Sequence, residues 1–197
     1  MSEIQLILLA VAIAVVLWAV AVFNRLVQSK NRIENAFGQI DVQLKRRHDL
    51  VPNLVEVARK YLSHESSTLE AVIRARGRAL IAADTARTQP LSFSAINGMQ
   101  MAEQALGGSL GRLLALQEAY PDLKADKTMK SLSEELTSTE NRVGFARQAY
   151  NDQVLDFNDA AAQFPALIVA RVLGFRPVAM LQSTRSEAER EAPRVQL

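Results

Sequence analysis

Two histidines and scattered carboxylates are the residues whose types suit chemistry. His48 and His64 stand sixteen positions apart, neither lies in a His-Glu-x-x-His pattern, and the chain has no Cys. A zinc site needs three or four converging ligands, so both histidines are expected at surface or boundary positions. Glu34 with Asp41, and Glu135 with Asp152, Asp156 and Asp159, fall on long helical patterns, where carboxylates can face one another across a bundle. Di-iron bundles add a Glu-x-x-His pair on each of two helices, and this chain has none. Solvated helix faces account for these acids. The expectation is no catalytic residue, no metal site and no cofactor. A membrane-associated enzyme with a carboxylate-lined bundle site is the alternative.

Two further patterns have the composition of binding motifs but not their context. Gly107, Gly108 and Gly111 are not followed by the Lys-Ser/Thr of a phosphate-binding loop and sit inside a helical pattern. The basic run Lys45-Arg46-Arg47 has few aromatics and has acids nearby, and the net charge is only +2. It reads as a solvated face, and no nucleic-acid partner is predicted. A subtler signal is a pair of similar segments, one holding Asn31, Arg32 and Asn35, the other Glu140, Asn141 and Arg142. Each sets Asn and Arg beside an apolar stripe residue, Ile33 or Val143. Such residues suit interhelical hydrogen bonds that fix register, or contact with a partner protein.

The elements that position these residues begin with an anchor. Residues 4–23 read IQLILLAVAIAVVLWAVAVF, with one polar residue, Gln5, and no charge. A helix of this length crosses the hydrocarbon core of a bilayer. A buried core helix seldom lacks a polar face over such a length. A cleaved secretory signal is the stronger rival, with Ala19-Val20-Ala21 as a cleavage site, but no Lys or Arg precedes the apolar run. Arg25, Lys30 and Arg32 follow it, so the positive-inside rule puts the N-terminus outside and the remainder in the cytoplasm of a single-pass membrane protein. The small residues Ala10, Ala12, Ala14, Ala19 and Ala21 allow close helix–helix packing, which makes a homo-oligomer an expectation.

Beyond the anchor the chain is poor in Gly and Pro and rich in helix formers. Ile33, Phe37, Ile40 and Leu44 form one stripe, and Val51, Val55, Ala58 and Leu62 continue it past Pro52, where a bend or restart is expected. A turn is preferred at 63–67, with a continuous helix as the alternative. A second helix is predicted over about 67–88, with Ser67-Thr68-Leu69-Glu70 at capping-box spacing. A third follows Ser92 or Ser94 to about 118, carrying Ile96, Met99, Leu106, Leu110, Leu113 and Leu114. Its glycines suggest close contact or a kink. The fourth is the clearest: from a capping box at Ser131–Glu134, Leu132, Leu136, Thr139, Val143, Ala146, Tyr150, Val154, Phe157 and Ala161 recur every three or four residues. The fold class is all-α, an N-terminal transmembrane helix followed by an elongated, mostly antiparallel four-helix bundle. The domains are 1–23, anchor; 24–164, bundle; 165–180, a short apolar segment; and 181–197, a flexible polar tail.

The segment ALIVARVLGF, residues 166–175, is too short to span a bilayer. Leu167, Ile168, Val172, Leu173 and Phe175 either pack under the bundle or lie in the membrane interface, where Arg171 and Arg176 would meet anionic headgroups.

Three separated blocks, SKNRIENAFGQIDVQLKRRHDLVPNLVEVARKYLSHE, YPDLKADKTMKSLSEELTSTENRVGFARQAYNDQV and FPALIVARVLGFRP, resemble the LemA family of bacterial membrane proteins in the same order. The resemblance covers about residues 1–180. It implies a single N-terminal transmembrane helix, a helical bundle and no catalytic residues, with relatives acting in membrane organelle formation and links to proteostasis. Met180-Leu181-Gln182 departs from the aromatic and acidic residues of many relatives. The expected function is a non-enzymatic, membrane-anchored scaffold or adaptor, with the lipid bilayer and another membrane protein as partners.

Overall fold

A computed structural model describes residues 2–181. Its longest element is α1, Glu3–Arg59, one unbroken helix that joins the apolar anchor to the bundle. At 1.5 Å per residue it is about 85 Å long. An 18-residue stretch of it is apolar enough to cross a membrane and has no residue buried within the chain. A buried core helix would be covered, so that reading is excluded. Pro52 neither ends nor restarts α1.

The other helices are α2 (Ser66–Thr88), α3 (Phe93–Ala119), the single turn α4 (Pro121–Ala125), α5 (Lys127–Ala162) and α6 (Ala166–Val172). Residues 60–65 break the chain between α1 and α2, which decides for a turn over a continuous helix. Ser92 caps α3 by accepting from the Ala95 N–H at 3.5 Å. The glycines leave α3 unbroken, and a Cβ on Gly107 would stand 3.4 Å from Arg47 Nη2 while Gly108 and Gly111 meet nothing. The capping box expected at Ser131 is corrected. Helix α5 starts earlier, at Lys127, and Asp126 is its cap, its Oδ1 accepting from Met129 N at 2.9 Å. That bond and one from Tyr61 hold the Asp126 carboxyl below the ordinary carboxylate range. Ser133 lies inside the helix and donates to Gln117 Oε1 of α3 at 2.9 Å.

Helix α1 packs along α5 and α2, and α2 packs along α3. Phe37 meets Tyr150 edge-on at 6.2 Å, and Arg46 reaches Glu135, so α1 and α5 run antiparallel. Two buried clusters form. The distal one joins Leu50–Leu62 to Leu69, Val72, Leu106, Leu110, Leu113, Met129 and Leu136. The membrane-proximal one joins Leu26–Leu44 to Ala83, Ala86, Met99, Val143, Tyr150, Val154 and Phe157.

Helix α6 buries only Val169 and Ala170, then stops at Gly174, whose φ is +75°. Gly174 N donates to Arg171 O and Phe175 N to Ala170 O, the paired bonds of a Schellman cap that needs this left-handed residue. The chain then runs extended along α5 to Leu181. Asn158 accepts from Val178 N and donates to Val178 O, both at 2.9 Å, and Asn151 does the same to Leu181 at 2.8 Å. Two side-chain amides seven residues apart thus replace a neighbouring strand. Leu181, the first residue expected in the tail, is buried; the rest of that tail lies outside the described residues.

Candidate functional site

Between the two cores lies a buried polar layer. Arg47 and His48 of α1 turn inward towards Glu103 of α3. His48 Nε2 is 2.6 Å from Glu103 Oε1, and Arg47 Nη1 donates to Glu103 Oε2 at 3.3 Å. Arg47 Nη2 reaches Glu140 of α5 at 3.5 Å. The His48 and Glu103 side chains are each only 1% exposed.

Pro52 explains a fourth contact. Lacking an N–H, it leaves the carbonyl four residues earlier without its helical donor. That carbonyl belongs to His48, and Arg76 Nε of α2 donates to it at 2.7 Å. The layer therefore ties α1 to α2, α3 and α5 at one height. Its parts sit where the stripes require a buried residue. His48 fills the gap between Leu44 and Val51, and Glu103 fills that between Met99 and Leu106.

The expected exposure of His48 and Arg47 is corrected by this burial, while His64, Lys45 and Arg46 are exposed. No group of three or more His, Cys, Asp or Glu side chains converges on a metal position among the described residues. Glu135 pairs with Arg46 at 2.7 Å, and Glu34, Asp152, Asp156 and Asp159 are exposed. The carboxylates singled out above do not meet in a core.

The segments around Asn31 and Asn141 do not meet either. Glu140 stands at the height of Arg47, which is sixteen residues from Asn31, or about 24 Å along the helix. Asn31, Arg32, Asn35, Asn141 and Arg142 are exposed.

The base of the bundle has a different chemistry. Phe175 packs edge-on against Phe23, at the end of the apolar run, with centroids 5.9 Å apart. Phe175 and Leu167 are half-buried, whereas Phe164 (80%), Ile168 (55%), Val172 (78%) and Leu173 (51%) are exposed. Trp18, Val22, Leu26, Phe164, Pro165 and Ala166 line a slot of about 190 Å³. Above it, Arg25, Gln28, Ser29, Arg32, Asp156 and Asp159 line a cleft of about 400 Å³. Arg25, Ala160 and Gln163 border both.

The LemA family model matches residues 36–197. This chain belongs to the LemA family. Protein LemA of Metamycoplasma hominis is 29% identical over 164 residues, 83% of this chain and 70% of that protein. Magnetosome protein MamQ of Magnetospirillum gryphiswaldense is 26% identical over 153 residues, covering 70% of this chain but 56% of its own length. Magnetosome protein MamQ 2 of Paramagnetospirillum magneticum is 31% identical over 75 residues, 38% of this chain and 28% of that protein. The chain thus spans about half or less of the MamQ relatives. With its long apolar helix and these relatives, it is a membrane-associated helical protein.

Proposed function

We propose that this LemA-family chain is a non-enzymatic scaffold or adaptor for other membrane proteins, with its bundle fixed upright on the inner membrane. The unbroken α1 carries this reading. A helix without a hinge transmits the orientation of the anchor to the bundle, so each face is held at a set height and direction from the bilayer. Arg25, Lys30 and Arg32 favour the cytoplasmic side. At the base, α6 lies in the interface, and Ile168, Val172 and Leu173 each gain up to about 1.5–3 kcal/mol on full burial there.

The bundle displays apolar side chains suited to a partner. Val42 (59%) and Phe145 (73%) are exposed, and the Phe37–Tyr150 register sets them at one height. Asn31, Arg32, Asn35, Asn141 and Arg142 are exposed polar residues on the same two helices. The MamQ relatives, named as magnetosome proteins, support a role at a membrane.

The test is in-cell photo-crosslinking from positions 42, 145, 32 and 142, with exposed Lys60 at the distal end as control. A discrete adduct with one other membrane protein from the first four positions, and not from 60, is expected. Adducts only between copies of this chain would replace the adaptor by a homo-oligomer. No adduct at any position would overturn both.

A further inference from the structure

The cleft at the base combines four features that point to one ligand. First, it lies at the height of lipid headgroups. Arg25 is two residues beyond Phe23, the end of the apolar run, hence about 3 Å above it. Second, no neighbouring side chain neutralises its charges. Arg25, Arg32, Asp156 and Asp159 line the cleft, yet none of their side chains forms an ion pair or hydrogen bond with the described residues. Third, the charges follow one another outward along the membrane normal as Arg25, Asp159, Asp156 and Arg32. The register set by Phe37 and Tyr150 puts Asp159 level with Gln28 and Asp156 level with Asn31. The lowest cation is therefore nearer the hydrocarbon than either carboxylate. Fourth, the slot below is walled by Trp18, Val22, Leu26 and Phe164 and shares a border with the cleft.

We infer that the cleft and slot bind one phospholipid with a zwitterionic, primary-amine headgroup of the phosphoethanolamine type. The phosphate faces Arg25, the ammonium lies farther out against Asp159 and Asp156, below Arg32 at the outer rim, and an acyl chain enters the slot beside Trp18. An ammonium donates hydrogen bonds to carboxylates, as a lysine head does. A quaternary choline has no N–H to donate, and a glycerol headgroup brings no cation. The two acids thus select the amine, while Arg25 holds any phosphodiester. This assignment rests on the base lying in the membrane interface, as proposed above.

The experiment uses the full chain in neutral detergent with equimolar phosphatidylethanolamine, phosphatidylcholine and phosphatidylglycerol of identical acyl chains. Retained lipid is counted by native mass spectrometry. The ethanolamine lipid should exceed each of the others by about fivefold, the upper range for partly exposed ion pairs. Asp156→Asn with Asp159→Asn should bring it down to the choline lipid's level, and Arg25→Gln should lower all three. All these residues are exposed, and unchanged helicity checks that the variants fold. Equal retention of the three lipids, or an undiminished preference in the double variant, overturns the inference. Displacement by free glycerophosphoethanolamine without chains would also overturn it, since it would mark a soluble phosphate-ester site. Interface placement is read separately, from Ile168→Trp in a Trp18→Phe background in bilayers with brominated acyl chains. Quenching without headgroup preference sinks the lipid site and keeps the placement. Absence of quenching sinks the placement and the lipid site with it.

Discussion

The two halves of the bundle solve the same packing problem with different means. In the distal half, four helices close around an aliphatic core of Leu, Val and Ala, and α4 with Leu123 seals the end. In the proximal half, only α1 and α5 continue to the membrane. The α2–α3 turn stops at Pro90, whose carbonyl accepts from Tyr150 Oη at a long 3.4 Å. Tyr150 faces Phe37, fourteen residues above Phe23, so that turn is about 21 Å from the end of the apolar run. Below it the α1–α5 surface needs another cover, and α6 with the extended segment to Leu181 supplies it. The rings of Phe23, Phe37, Tyr150, Phe157 and Phe175 fill the wider gaps. Burial pushes the Tyr150 phenol up to about 12. The distal half therefore depends on four helices meeting in one core. The proximal half depends on the chain's C-terminal part returning to α1 and α5.

The polar layer divides these halves, and removing its centre should have the largest effect. Glu103→Ala leaves His48 and Arg47 buried without their shared acceptor, which costs about 3–5 kcal/mol for a broken buried pair. Denaturant unfolding of the full chain in detergent, followed by helicity, measures it. Replacing Arg47, His48 and Glu103 together by Met, Leu and Leu should recover most of the loss, because no charge is then stranded. If Glu103→Ala changes stability by less than 1 kcal/mol or so, the layer is not what joins the halves.

The layer was also the part least legible beforehand. The stripes of α1, α3 and α5 locate most of the core, since Ile33, Phe37, Leu44, Leu106, Leu110, Val143, Tyr150 and Phe157 are all buried. Helical periodicity reads such residues directly because burial and hydrophobicity coincide. At His48 and Glu103 they do not. Both occupy core positions of the stripe with polar side chains, and only a gap of seven between Leu44 and Val51, and between Met99 and Leu106, marks them. The start of α5 is ambiguous in the sequence because Ser131–Glu134 and Asp126 both offer cap chemistry, and the contact with Tyr61 favours the latter. The exposed Asn and Arg residues of 31–35 and 141–142 had no periodic signal that gave their relative height. The bidentate roles of Asn151 and Asn158 had none at all, since their partners are backbone atoms 20 to 30 residues away.

Pro52 and Arg76 allow the layer to be dissected more finely. Arg76→Ala strands the His48 carbonyl, at a cost of about 1–2 kcal/mol. With Ala at position 52, the restored N–H can bond that carbonyl within α1. Arg76→Ala should then cost at least about 1 kcal/mol less in the Pro52→Ala background than in the original chain, read as a double-mutant coupling. Simple additivity of the two substitutions would show that Arg76 does not act through the carbonyl that Pro52 leaves open.

The smallest expected effect is confined to the proximal half. Asn158→Ala removes both bonds to Val178 and leaves those of Asn151 to Leu181 in place. The net value of the lost pair is about 1–2 kcal/mol, because the freed backbone groups near the surface regain water. The C-terminal segment can detach without unfolding the helices, so this cost should appear as local opening and not as a lower unfolding midpoint. Amide hydrogen exchange should speed up about tenfold at Val178 and its neighbours. Amides of Leu54, Leu110 and Leu136 in the distal core should keep their protection. Equal acceleration in both halves would mean that the extended segment and the distal core open as one unit, and the division between them would fall.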